Sequence, residues 1–516
     1  MTAIYREHAM TKILGGLLGL AVIGSAVGCN TDNITNTNHN PNSPTSAPAG
    51  ALFANATVNA IRRWVVFGSG AVVTQQFSSV LYPTVDSYVS VQADGTSGSF
   101  TSAYTSDLAD YRQVISAGKS ASQAGIYGPA MVMSAWDFSN LTDQWGDVPY
   151  SEALKADSGI VTPKYDAQKD IYAGMFASFR QAATDMAAVP SGAPTLGSSD
   201  PIYGGNLAKW RRFANSLRVR YAMRLVNVDP ATTNAELKAA FADPGGVFQS
   251  NADNALMAWP GDGVYDNPFS TSVASRLDVR VAKTLTDQMV NDPRLSVYAM
   301  PVADSSVYKN GYGGEPSGIS ADSAAKWFKL ASWPGARFGP GVTSYGVYGT
   351  SDGRKAPSYV MTYAELMFLR AEAAERGLGG LASSEAATDY YTAIRASMAQ
   401  WGVTNEAAIT AFLATPAIAY KGGVAGLKQI ATQNWIALFS DSPQVWAEWR
   451  RTCQPSTVVP GPTAIVPYVP RRYYYATTEA LVNGDNLRAA IARQGPDNFG
   501  TRIYWDSKPA NAPTCQ

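Results

Sequence analysis

The chain carries one stretch whose chemistry is written in its spacing. An uncharged run from Ile13 to Val27 follows Arg6 and Lys12 and closes in Ser25-Ala26-Val27-Gly28-Cys29. Small residues ahead of a lone cysteine are the substrate of lipoprotein processing, in which the chain is cut before Cys29 and the new terminal cysteine is acylated. The run is shorter than the ~20 apolar residues that span a bilayer and has the shape of a cleaved signal. Met10-Thr11-Lys12 offers a second start for it. Residues 1–28 are therefore expected to be a signal peptide. Each buried CH2 of an acyl chain contributes about 0.8 kcal/mol and firm anchoring takes two chains, which a diacylglycerol on Cys29 supplies. The Asn-, Thr- and Pro-rich stretch 29–50 has little to bury and reads as a flexible tether. Residues 51–516 then form the folded body.

Other chemistries are excluded by what the body lacks. The two histidines are His8 and His39, one in the signal and one in the tether. Ser-His-Asp and Cys-His catalysis have no base, and zinc sites have too few nitrogen or sulfur ligands. A glycosidase built on two carboxylates survives, with Asp143, Asp147 and Glu152 beside Trp145 as its nearest acids, but a structural turn after a helix is the better reading of that segment. No cofactor is expected; oxygen ligands alone would also suit a structural calcium ion. Once Cys29 is acylated, Cys453 and Cys515 remain as an even pair in an oxidising compartment, read as a disulfide against the alternative of two free thiols.

Charge points away from polyanions. Lys plus Arg and Asp plus Glu are both 40, and charged residues are only 16%, against about 25% in ordinary domains. Removing residues 1–28 takes Arg6, Lys12 and Glu7 and leaves the chain near neutral. Nothing here attracts nucleic acid. Twelve Trp and 27 Tyr suit neutral, hydroxyl-rich or peptide ligands instead.

Helices must position these residues. Tyr172, Met175, Phe179, Ala182, Met186 and Val189 recur at helical spacing until Pro190. Trp210, Phe213, Leu217, Tyr221, Leu225 and Val228 do the same until Asp229-Pro230. The opposite face of the second helix carries Lys209, Arg211, Arg212, Arg218, Arg220 and Arg224 and reads as solvated or salt-bridged. Further helices are expected at about 51–80, 107–140, 359–376, 384–400 and 426–439, with a short one after Pro443. Glu372 and Arg376 fit an i,i+4 pair. Trp446 and Trp449 are expected to bury against the preceding helix. Helix pairs thus recur without a strict 34-residue period, the pattern of a mainly α, tetratricopeptide-like scaffold with divergent repeats. Two stretches break it: 82–104, with Tyr88, and a long insertion at about 241–356, with Trp259, Tyr265, Trp327, Trp333, Tyr345 and Tyr348. Long loops usually carry function. Sugar rings stack their CH faces on such aromatics, so these seven are the candidate ligand contacts.

Four motifs in order now carry a resemblance: Asp143-Gln144-Trp145-Gly146-Asp147-Val148-Pro149-Tyr150, Trp210-Arg211-Arg212-Phe213-Ala214-Asn215-Ser216-Leu217-Arg218, Tyr363-Ala364-Glu365-Leu366-Met367-Phe368-Leu369-Arg370-Ala371-Glu372-Ala373 and Trp446-Ala447-Glu448-Trp449-Arg450-Arg451. Pro470-Arg471-Arg472-Tyr473-Tyr474-Tyr475 follows, ahead of Glu479 and Asn486. With the cysteine signal, the chain resembles SusD/RagB-type nutrient-binding outer-membrane lipoproteins, and within them the SusD-like subgroup. The resemblance implies a helical body with an irregular ligand-bearing half, lipid-anchored at the outer membrane and facing the cell surface. It implies a hinged lid over a SusC-like TonB-dependent transporter that delivers glycans or peptides without turning them over. A peptide-binding lid, a carboxylate-only glycoside hydrolase and a surface adhesin are the alternatives. One departure stands out: Cys453 follows Arg451-Thr452 where a glycine is expected.

Overall fold

In the computed structural model the described residues are 47–66, 68–91, 93–274, 278–308, 310–335, 342–344, 347–348, 353–506 and 515. Cys29 and the expected signal lie outside them. Helices dominate. Those of ten residues or more are α1 (Ala49–Trp64), α2 (Ala93–Ser102), α3 (Ala109–Ser120), α4 (Ala124–Trp145), α5 (Gln168–Ala187), α6 (Leu207–Arg224), α7 (Pro230–Ala242), α8 (Tyr363–Glu375), α9 (Ala386–Gln400), α10 (Gly423–Ala437), α11 (Ser442–Thr452) and α12 (Gly484–Gln494).

The apolar stripes explain the packing. Tyr172, Met175, Phe179, Ala182 and Met186 of α5 are buried, and so are Trp210, Phe213, Leu217 and Tyr221 of α6. Successive helices pack as neighbours: α3 on α4, α4 on α5, α5 on α6, α6 on α7, α8 on α9. Helix α8 also meets α6 and α10, and α11 returns onto α4, so the tetratricopeptide-like pairs share one large core cluster, with a smaller one between α8, α9 and α10. Local signals set the boundaries. Asn206, Asp229 and Thr362 each accept a backbone N–H of the following turn as N-caps.

Several expected boundaries differ. The helix expected over 51–80 ends at Trp64; a short helix, Ser69–Val73, and a strand, Phe77–Ser79, follow. Gly70 lies in that short helix, where a Cβ would strike the backbone oxygen of Ser442. The second half of 82–104 is helical, as α2 runs into a π-turn, Ala103–Leu108, before α3. Residues 358–361 form a strand and the helix begins only after the Thr362 cap. Asp229-Pro230 ends one helix and also starts α7, because a proline at N1 gives up an N–H that is unbonded there anyway.

Strands are short antiparallel pairs: Phe77–Ser79 with Val279–Val281, Val148–Pro149 with Tyr165–Asp166, Ala255–Met257 with Ser358–Met361, and Val342–Ser344 with Val347–Tyr348. Between α7 and α8 the chain otherwise uses helices of four to seven residues.

The arginine face of α6 is salt-bridged rather than solvated. Arg220 grips Glu365 with two bonds of 2.6 and 2.5 Å and donates to the Val360 carbonyl. Arg218 reaches Glu236 of α7, and Arg224 reaches Asp143, Glu448 and Gln444. Glu372 pairs with Arg376 and with Arg451 of α11, which also holds Glu448. Burial pushes the Glu372 carboxyl up, and Arg451 and Arg376 override it and bring it down to about 2.

Cys453 and Cys515 are joined, with Cα atoms 5.0 Å apart. Cys453 caps α11 in the left-handed region at φ 57°, a conformation glycine adopts without strain. That accounts for the departure from the expected glycine: the covalent link holds the side chain in a turn that would otherwise select against one.

Two outcomes follow. Glu365→Ala strands Arg220 in the core and should destabilise by about 3–5 kcal/mol, while the pair replaced together by Met should recover most of the loss; urea midpoints of the three variants measure this. Cys515→Ser opens a link across 62 residues and should cost about 2–4 kcal/mol, read as the gap between the variant and the oxidised parent, with no gap once the parent is reduced.

Candidate functional site

The aromatics expected to form a ligand face do not share one location. Tyr88, Trp259 and Trp333 are core residues, at most 4% exposed. Tyr88 sits at φ 70°. Trp259 donates its Nε1 to Ser358 Oγ at 2.9 Å, and Arg62 lies over the rings of both Trp259 and the exposed Tyr265. Buried rings present no face to a ligand. A half of the fold with few regular elements needs large side chains to fill it, and these three do that. Tyr345 lies outside the described residues, and of Tyr348 only the backbone is described, in a two-residue strand. Trp327 and Tyr265 keep surface, in different places.

Trp327 belongs to a face assembled from three segments. The pair Phe77–Ser79 and Val279–Val281 is its frame. Asp86 folds the first segment back by accepting Ser78 Oγ at 2.5 Å and the Ser79 N–H at 3.1 Å, and Ser79 Oγ donates to Asp278. Arg280, fully buried, donates to the Phe328 carbonyl at 3.0 Å and lies 4.4 Å from the Trp333 ring centroid. This arginine fixes the turn that carries Trp327. Tyr308 lies 6.4 Å from Trp327, ring to ring, at 43°; both are half-buried. The third segment joins where Thr463 N–H donates to Gly318 and Ile465 N–H to Ser87. Exposed apolar side chains recur on all three: Leu81, Tyr82 and Val89, then Val307, then Val459 and Ile465. Tyr308 and Tyr82 were not singled out from sequence; Tyr308 stands in the same Tyr-rich insertion, but nothing in its neighbours distinguishes it from a packing residue.

Acids lie beneath this face. Glu315 is fully buried; its backbone bridges Val281 and Lys283. Burial, and then Asp86, push its carboxyl up to about 9, against Arg280, which favours the charged form. Burial brings Asp86 up to about 7. The acids around Trp145 are occupied elsewhere. Asp143 accepts from Tyr172 Oη and Trp505 Nε1, Asp147 from the Gln168 N–H and Arg493, and Glu152 from the Lys164 N–H. Gly146 turns the chain at φ 85°, where any Cβ would overlap Gln494. Among the described residues no group of three or more His, Cys, Asp or Glu is placed to hold a metal ion, and no helix is long and apolar enough to cross a membrane.

The architecture is that of a helical-repeat binding scaffold with an irregular, aromatic-bearing half. The chain belongs to the SusD-like family, described as starch-binding and associating with the outer membrane, which it matches over residues 41–476. Among solved structures it is similar to a chitin-binding protein at 26% identity and a TM-score of 0.76, covering 89% of this chain and 100% of that one. A chitin-binding SusD homolog from Flavobacterium johnsoniae is 24% identical with a TM-score of 0.74, over 90% and 97% of the two chains. A SusD homolog from Bacteroides fragilis is 24% identical with a TM-score of 0.75, over 90% and 100%. No curated protein matches the chain at a significant level.

The raised Glu315 carboxyl has a consequence for stability. A folded-state value of about 9 means the native state holds a proton that the unfolded chain releases above its ordinary value of about 4.3. The contribution is full below that value and is lost as pH rises towards 9. Glu315→Gln should therefore flatten the fall in urea midpoint between pH 5 and pH 9; an unchanged slope would place the carboxylate in a charged, paired state.

Proposed function

We propose that this protein is a surface-exposed binding lipoprotein that captures oligosaccharides and passes them to a SusC-like TonB-dependent transporter. The family membership over residues 41–476 carries the reading. Two structural neighbours named for chitin binding support a glycan as the ligand class. Anchoring through acylated Cys29 at the outer membrane, facing outward, belongs to the same reading.

Geometry supports binding over turnover. The acids of the Trp145 segment are engaged in turn and cap contacts, and the body has no histidine. The tilted rings of Tyr308 and Trp327, half-buried on a frame held by Arg280, suit the CH faces of adjoining sugars. Capture is by stacking, and the lid closing on the barrel commits the ligand to transport.

Titration calorimetry with chito- and maltooligosaccharides tests this. The parent should bind one of the two series without releasing shorter sugars. Trp327→Ala and Tyr308→Ala should each weaken binding by about tenfold, about 1.4 kcal/mol, with urea midpoints close to the parent's. Undiminished binding in both variants would move the site off this face, and sugar release lost on replacing one carboxylate would make the protein a hydrolase.

A further inference from the structure

One groove shares no residue with the aromatic face. It has a volume of about 390 Å3 and is walled by Phe100, Tyr104, Pro149, Leu154, Ile160 and Val482. The volume falls within the range of ligand sites, which are mostly apolar with a few placed polar groups.

Its walls are unusual in their backbone. Tyr104 stands in the π-turn Ala103–Leu108, and π-turns inside helices gather at functional positions. Leu154 is held at φ 63°, a conformation imposed on a leucine only by its surroundings. Its rim is apolar as well. Val161 and Val482 are 76 and 64% exposed, more than packing explains.

The polar groups of the walls define what fits. Tyr104 Oη donates to the Pro149 carbonyl, Asn483 Nδ2 to the Pro163 carbonyl and Thr105 Oγ1 to the Thr101 carbonyl. Sugar hydroxyls would find few partners left. Glu479 differs. Its Oε2 accepts from Tyr165 Oη at 2.5 Å, and its other oxygen has no hydrogen-bond partner among the described residues. It is half-buried, whereas Lys155, the one cation among the described residues of the lining, is exposed to solvent. A charge in partly desolvated surroundings acts more strongly than a solvated one.

We propose that this groove is a binding site for an apolar ligand with an ammonium head, the body lying between Phe100, Tyr104 and Val482 and the head on Glu479. Volume, lining and the recessed Glu479 carboxylate select this chemistry over a neutral glycan. The site stands apart from the oligosaccharide reading and would hold if that reading failed.

The test uses the full chain and the fluorescent probe N-phenyl-1-naphthylamine, displaced by 4-phenylbutylamine or by 4-phenylbutyrate. The parent should bind the probe saturably and release it to the amine at concentrations about tenfold lower than to the carboxylate. Val482→Arg, an exposed change at the mouth, should abolish probe binding and leave oligosaccharide binding unchanged. Glu479→Gln should keep the probe and remove the preference for the amine. Absence of saturable binding, a preference for the carboxylate, or unaltered probe binding in Val482→Arg would each overturn the proposal. So would occupation of the groove by a co-purifying protein, shown by protection of Val482→Cys from alkylation in the complex alone.

Discussion

Arg450 is fully buried where helices α4 and α11 meet the C-terminal segment, and much of the fold is arranged to satisfy it. Its guanidinium donates to the carbonyls of Asp143 and Arg471 at 2.7 and 2.8 Å and lies 3.9 Å from the Trp446 ring centroid and 4.7 Å from that of Trp505. A buried cation left without partners is costly by several kcal/mol, whereas a satisfied one fixes geometry. Around it, Arg471 pairs with Asp506, Arg472 with Asp497, and Arg451 with Glu372 and Glu448. The layer joins segments more than 300 residues apart in sequence, as the Arg450–Asp143 bond shows. None of these helices slides against another without exposing a charge to apolar surroundings.

The irregular half hangs from this body through a few directed contacts. Phe77 packs between Phe269 and Phe439, and Gln76 donates to the Trp435 carbonyl of α10. The strand pair that begins at Phe77 therefore starts from a fixed place. Arg280 on its partner strand holds the turn bearing Trp327. A chain of contacts thus runs from α10 through the strand pair to the half-buried Trp327, which is how a loop-rich face keeps its shape without a large sheet beneath it.

The helical body was legible because its signals are local. The 3–4 spacing from Tyr172 to Met186 and from Trp210 to Leu225 follows directly from one apolar face per helix. The motifs that carried the family resemblance turn out to meet: Trp145 Nε1 donates to the Tyr474 carbonyl, Tyr475 Oη to the Asp147 carbonyl, and Trp446 Nε1 to the Pro470 carbonyl. The aromatic face was less legible. An aromatic in a loop has the same one-letter signature whether it fills the core, as Trp333 does over Arg280, or keeps part of its surface, as Trp327 does six residues earlier in the chain. Long-range packing decides between them, and periodicity carries no trace of it. The close approach of Gly70 to Ser442 and the bond from Tyr104 to the Pro149 carbonyl were hidden for the same reason, since the partners are distant in sequence.

The central claim is that this scaffold serves as the binding partner of an outer-membrane transporter. The most direct measurement is a mild-detergent pull-down of the tagged, full-length protein from its own outer membrane, with mass spectrometry of what co-purifies. The account predicts a large TonB-dependent barrel at near-equal stoichiometry. Recovery of the acylated, surface-exposed protein with no barrel would contradict it.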